Sequence, residues 1–135
     1  MRLTSLADYA VVVMAAAARH PAGARLSAAL LADETGVPLP TAQKLMGRLA
    51  AAGLLHSARG AGGGFRLARP AGGISLADII EAVEGPIAMT NCIEGSVHDC
   101  ALEESCRVKP HLNAANDAVR FALQGVSLAT LAEAK

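Results

Sequence analysis

The chain has 135 residues and a formal net charge of zero, enough for one domain with a small appendage. Hydrophobic residues make up 53%, yet there are two Phe, one Tyr and no Trp, so the core must be built from Ala, Leu and Val on closely packed helices. The apolar run 10–18 is too short to span a bilayer and is bracketed by Asp8 and Arg19, which excludes a membrane segment there and makes a soluble cytoplasmic protein the expectation.

In chain order, Thr4 or Ser5 caps a first helix reaching about residue 19, with Asp8 placed to complete a capping box on Ser5. Pro21 ends it. Ser27 caps a short helix over 28–35 that Gly36 closes, and Pro40 opens a third as its first residue, running to residue 52 before Gly53. Two short extended runs, 54–58 and 65–68, flank Arg59-Gly-Ala-Gly-Gly-Gly64 and read as a β-hairpin. Ser75 and Asp78 form a capping box for a helix to about Val83, ended by Gly85-Pro86. Residues 86–106 show no period, and Asp99 is placed to cap one or two turns from Cys100 to Cys106. Pro110 opens a helix to Gln124 with Leu112, Ala115, Val119 and Ala122 as a seam for another helix, and Ser127 caps a last short one.

Zero net charge conceals a division. Residues 1–73 carry eight Lys and Arg against three Asp and Glu, a balance of +5; residues 74–135 carry four against nine, a balance of −5. A basic half joined to an acidic half presents one half to a polyanion.

The second and third helices, joined through Thr35-Gly36-Val37-Pro38, form a helix-turn-helix pattern. On the third, Leu45, Leu49 and Ala52 mark a buried face. Pro40 starts the helix, and Thr41, Gln43, Lys44, Gly47 and Arg48 fall on the other side. Gln pairs with adenine through two hydrogen bonds, and Lys44 and Arg48 suit guanine or phosphate. A glycine-rich hairpin directly afterwards reads as a wing. Its Arg59, Gly60 and Arg66 are placed for the minor groove or backbone.

Cys92, Cys100 and Cys106 are spaced Cys-x7-Cys-x5-Cys in an acidic, irregular stretch. Three is an odd number, which argues against a disulfide framework. Zinc prefers four ligands in closer pairs, whereas three widely spaced thiols suit an iron–sulfur cluster with a different fourth ligand. Zinc, redox-reactive thiols and inert thiols remain alternatives. Paired catalytic carboxylates, a nucleophile elbow, an HExxH motif and a dinucleotide fingerprint are all missing, so an enzyme is not expected.

Taken together, the opening Met1-Arg-Leu-Thr-Ser-Leu-Ala-Asp-Tyr-Ala10, Pro38-Leu-Pro-Thr41, Leu45-Met-Gly-Arg-Leu49 with Ala52-Gly-Leu-Leu55, the wing through Phe65, Ser75-Leu-Ala-Asp-Ile79 with Glu84-Gly85, the three cysteines and Val126-Ser-Leu128 resemble the Rrf2 family of winged-helix regulators. The likeness is to its cluster-binding branch, which includes IscR, NsrR and the regulators of Suf-type cluster assembly.

The resemblance implies a mainly α fold with a small β-hairpin: a winged helix-turn-helix over 1–84, a cluster-binding loop over 85–107, and a dimerisation helix with tail over 108–135. It implies a homodimer on a pseudo-palindromic double-stranded DNA operator, with no membrane partner. It also implies a [2Fe–2S] or [4Fe–4S] cluster on Cys92, Cys100 and Cys106 that controls DNA binding. Two departures bear on the fourth ligand. IscR-like members carry a His three residues after the third cysteine, where this chain has Lys109; NsrR-like members use an Asp near the N-terminus of the other subunit, a position Asp8 matches, with His111, the weaker alternative, and His98 as the other candidates. Control of Suf-type assembly genes is the function the likeness implies. A nitric oxide-sensing repressor of the NsrR type, or a cluster-free thiol-sensing repressor, is the alternative.

Overall fold

The computed structural model describes residues 2–59, 63–93 and 95–133. Among them lie six α-helices and one two-stranded antiparallel hairpin: α1 (Ser5–Ala18), α2 (Ala28–Thr35), α3 (Leu39–Ala51), β1 (Leu55–Ala58), β2 (Gly64–Leu67), α4 (Leu76–Glu84), α5 (Lys109–Gln124) and α6 (Leu128–Glu133). Short 3₁₀ turns occur at Ala71–Gly73 and Glu103–Ser105.

The helix α1 is the centre of the packing and touches α2, α3, α4 and α6. Its sequence explains why. Ala7, Ala10, Ala15, Ala16 and Ala17 are buried together with Val13 and Met14, and small side chains let several neighbouring helices approach one backbone. Leu31, Leu45, Met46, Leu49, Ile74, Ile79 and Leu128 complete the core. Each such side chain contributes about 1.5–3 kcal/mol when fully buried, before entropy is charged against it.

Most boundaries follow the local chemistry. Ser27 Oγ accepts the N–H of Leu30, and Gly36 takes a left-handed φ of 81°. Ser75 and Asp78 form both arms of the expected capping box. Ser127 Oγ accepts the N–H of Thr130 at 3.1 Å.

Three details differ from expectation. Thr4 alone caps α1, accepting the N–H of Ala7, so Ser5 lies inside the helix and Asp8 completes no box there. The third helix begins at Leu39, which puts Pro40 at its second position. Only the 3₁₀ turn Glu103–Ser105 forms where a short helix from Cys100 was expected.

In the hairpin Leu55 pairs with Leu67, His56 with Arg66, Ser57 with Phe65 and Ala58 with Gly64. A third segment joins it: Leu26 and Phe65 exchange two backbone hydrogen bonds of 2.7 Å. Gly64, at φ +131°, is needed for that approach, because a Cβ there would sit 3.0 Å from the Leu26 carbonyl oxygen.

The C-terminal segment returns to the main core. Ser75 and Ser127 form an antiparallel bridge, the N–H of Leu128 reaches the Ile74 carbonyl at 2.8 Å, and Arg19 Nε reaches the Ala132 carbonyl at 3.0 Å. Among the described residues, no helix is long and apolar enough to cross a membrane.

Candidate DNA-reading surface and cysteine loop

The turn between α2 and α3 is held by Thr35. Its hydroxyl donates to the Leu31 carbonyl at 2.6 Å and accepts from the N–H of Val37 at 3.2 Å, while Val37 plugs the core at 5% exposure. Ala42, Leu45, Met46 and Leu49 bury one face of α3. Pro40, Gln43, Lys44, Gly47 and Arg48 are exposed and Thr41 is half-buried, so the expected reading face is turned outward. Ala52, expected on the buried face, is exposed at the C-cap of α3, where the neighbouring Ala51 and Gly53 are exposed too. In the wing Arg59 and Arg66 are exposed; Gly60 lies outside the described residues.

Arg48 has an engagement that sequence reasoning missed. Its Nη1 donates to the carbonyl of Val83, in the last turn of α4, at 3.2 Å. Glu84, the next residue, accepts the N–H of Thr4 at 3.0 Å. Gly85 then turns the chain at φ +84° into the cysteine loop. A third link joins α4 to α5: Arg120 Nε donates to Glu81 Oε1 at 2.9 Å, and this bond holds the Arg120 guanidinium above its ordinary value.

The loop between α4 and α5 is pinned at its start by Asn116, the buried residue of α5 at 2% exposure. Its Oδ1 accepts the N–H of Met89 at 2.8 Å and its Nδ2 donates to the Ile87 carbonyl at 2.9 Å. A polar residue at the inward period of an amphipathic helix was the available signal. The expected seam is only partly covered within the protomer: Leu112 and Val119 are half-buried, while Ala115 and Ala122 are exposed.

All three cysteines are free thiols. Cys92 is buried, its Sγ 3.1 Å from Thr90 Oγ1; Cys106 is half-buried and Cys100 exposed. Near them Glu103 is the hub of a charge network, with Lys109 Nζ at 2.8 Å and His98 Nδ1 at 3.0 Å. Hydrogen bonds from Lys109 and then His98 hold the Glu103 carboxyl below the usual carboxylate range. Lys109 is held above its own value, chiefly by Glu103, with smaller contributions from Cys92 and Cys106. Cys92, His98, Lys109, Asn113 and Arg120 line a cleft of about 590 Å³ between loop and helix.

As a donor set, three free thiols in one loop fit an iron–sulfur cluster. Their placement does not: among the described residues no group of three or more His, Cys, Asp and Glu stands close enough together to hold a metal ion. Asp8 and His111 are both exposed, on α1 and in the first turn of α5. A cluster on these thiols therefore requires the loop to close further than it does here.

A basic helix-turn-helix with a hairpin wing defines a winged-helix DNA-binding protein. Over residues 3–134 the sequence matches the Rrf2 family, described as an iron-dependent transcriptional regulator, and the chain belongs to that family. Its members are DNA-binding, dimeric transcription regulators and not enzymes. Among relatives, protein aau3 of Rhizobium meliloti is 36% identical over 136 aligned positions, covering 100% of this chain and 87% of that protein. Two solved structures are similar in fold. CymR of B. subtilis, a global cysteine regulator, superposes with a TM-score of 0.74 at 26% identity, covering 98% of this chain and 96% of that one. IscR of T. potens gives a TM-score of 0.72 at 25% identity, covering 97% and 85%.

Proposed function

We propose that this chain is a homodimeric cytoplasmic regulator that reads a pseudo-palindromic DNA operator and senses iron–sulfur status through Cys92, Cys100 and Cys106, with Suf-type assembly genes as its targets. One observation carries the sensing part: all three thiols are free and lie in a single irregular loop anchored at both ends by helices. The likeness to IscR supports it.

In this reading residues 1–84 grip DNA, 85–107 sense and, of 108–135, α5 pairs the subunits while α6 packs back on α1. Thr41, Gln43 and Lys44 enter the major groove from the first turns of α3, with Pro40 setting the start of the helix. Each good base contact is worth about 1–3 kcal/mol of discrimination. Arg59, Gly60 and Arg66 follow the backbone or minor groove beside it. The three cysteines would ligate a [2Fe–2S] or [4Fe–4S] cluster, completed by Asp8 of the partner subunit or, less favourably, by His111.

A bound cluster supplies a redox-labile cross-link among three loop positions. The protein's own part is mechanical. A dimer must match half-sites about 34–36 Å apart per helical turn. A loop that packs differently against α4 and the partner changes that spacing, and the affinity shift equals the differential stabilisation of the two states.

The CymR likeness and the exposed Cys100 favour a second reading, a cluster-free thiol-sensing repressor. The match of Asp8 to its NsrR-like position favours a nitric oxide-sensing repressor. Anaerobic purification with iron and sulfide analysis separates them. The first reading expects a coloured protein that bleaches in air and loses iron in Cys92→Ala. Colour lost selectively to nitric oxide supports the NsrR-type reading. A colourless, iron-free protein whose DNA binding responds to thiol oxidants supports the cluster-free one.

A further inference from the structure

The geometry points to Arg48 as a positioning residue: its guanidinium clamps the recognition helix to the C-terminal end of α4, the end from which the cysteine loop departs. This inference rests on α3 being the helix that enters DNA.

The last carbonyls of a helix have no partners within it. In α4 the chain turns away at Gly85, so the Val83 carbonyl has no helical N–H four residues on. Arg48 supplies the missing donor from another helix, at 3.2 Å in a half-buried setting. A cation there also complements the partial negative charge of the helix end. The same turn holds the start of α1 through Glu84 and Thr4 N–H, and α5 through Glu81 and Arg120. The end of α4 is thus a junction of the recognition helix, the first helix, the C-terminal helix and the cysteine loop. Arg48 is the hydrogen bond by which α3 joins it.

A side chain committed to this bond acts on DNA through the angle of α3. Its loss disturbs base reading across the whole half-site more than it disturbs the sequence-independent attraction to phosphate. A phosphate contact behaves differently: its removal weakens binding to all sequences uniformly and lowers the salt slope by about 1. A direct base contact relaxes specificity at one base pair only.

The test compares wild type, Arg48→Ala and Lys44→Ala. The probes are an operator duplex selected by the wild-type protein from a randomised pool, its single-base variants and an unrelated duplex. Anisotropy titrations over a range of salt give affinities and slopes; hydrogen exchange of the free protein reports on the last turn of α4. For Arg48→Ala we expect about a tenfold loss of operator affinity, from one charge-assisted hydrogen bond. Discrimination should fall at several base pairs, with the operator losing more affinity than the unrelated duplex and the salt slope falling by less than about 1. The Gly85 amide, bonded to the Glu81 carbonyl at 2.9 Å, should exchange faster. A slope lowered by about 1, a loss confined to one base pair, or unaltered exchange at Gly85 would each overturn the inference. Failure of the wild type to select any duplex would sink the DNA-reading proposal instead, and the exchange result would still decide the clamp.

Discussion

Asn116 donates from Nδ2 to the carbonyl of Ile87 at 2.9 Å, from the middle of α5 into the first residues of the cysteine loop. Its Oδ1 also takes the N–H of Met89, so one buried amide satisfies two backbone groups. Replacing it by Ala leaves both groups without partners in a half-buried site. The expected cost is about 1–3 kcal/mol. It should appear as a lower urea midpoint with little change in slope, and as faster exchange confined to the loop start. An unchanged midpoint would show that Asn116 does not hold the loop.

The wing depends on Gly64. Its φ of +131° and a Cβ position 3.0 Å from the Leu26 carbonyl oxygen leave no room for a side chain. Gly64→Ala should cost about 1–3 kcal/mol in thermal or urea unfolding. The Leu26–Phe65 hydrogen bonds of 2.7 Å should lengthen or break, which exchange at the Phe65 amide would report.

Gln43 and Lys44 differ in what they should do. Gln43→Ala should relax specificity at one base pair by about 1–3 kcal/mol. Lys44→Ala, if its ammonium meets phosphate, should weaken all sequences alike and lower the salt slope by about 1. Competition titrations against single-base operator variants at two or more salt concentrations check both.

The elements most legible in the sequence were those whose ends are set by local chemistry. Ser27, Gly36, Ser75 with Asp78 and Ser127 act where the chain places them, because a cap needs only its own next few residues. Less legible were the long-range bonds. Arg48 looked like one more outward base on α3, and nothing near it in the chain announces Val83, 35 residues away. Gly64 looked like one of a run of permissive glycines, whereas its need comes from Leu26. The cysteines' spacing suggested shared ligation, but a spacing within an irregular loop does not specify a conformation, and these three thiols are not gathered.

Acid should release one contribution to the loop. The Glu103 carboxyl titrates below its ordinary 4.5 because Lys109 and then His98 bond its charged form. A depressed folded value stabilises the protein above the unfolded value, and that contribution disappears as pH falls through the folded one. Lys109, raised above its ordinary 10.5 chiefly by Glu103, contributes fully below 10.5 and loses that contribution as pH climbs through its folded value. The difference in unfolding free energy between wild type and Glu103→Ala should therefore be flat near neutrality and shrink below pH 4.5. Because Glu103 and Lys109 are only half-buried and His98 is exposed, added salt should reduce it. A difference that grows on acidification would contradict the assignment.

The central claim is that the state of the cysteine loop sets the grip of the basic half on DNA. Its most direct test is an anaerobic anisotropy titration of one preparation on one selected operator duplex, before and after its iron is removed by chelation. The account predicts at least about a tenfold change in dissociation constant, equivalent to about 1.4 kcal/mol of coupling. Superimposable curves for iron-loaded and iron-free protein on every operator tried would contradict it.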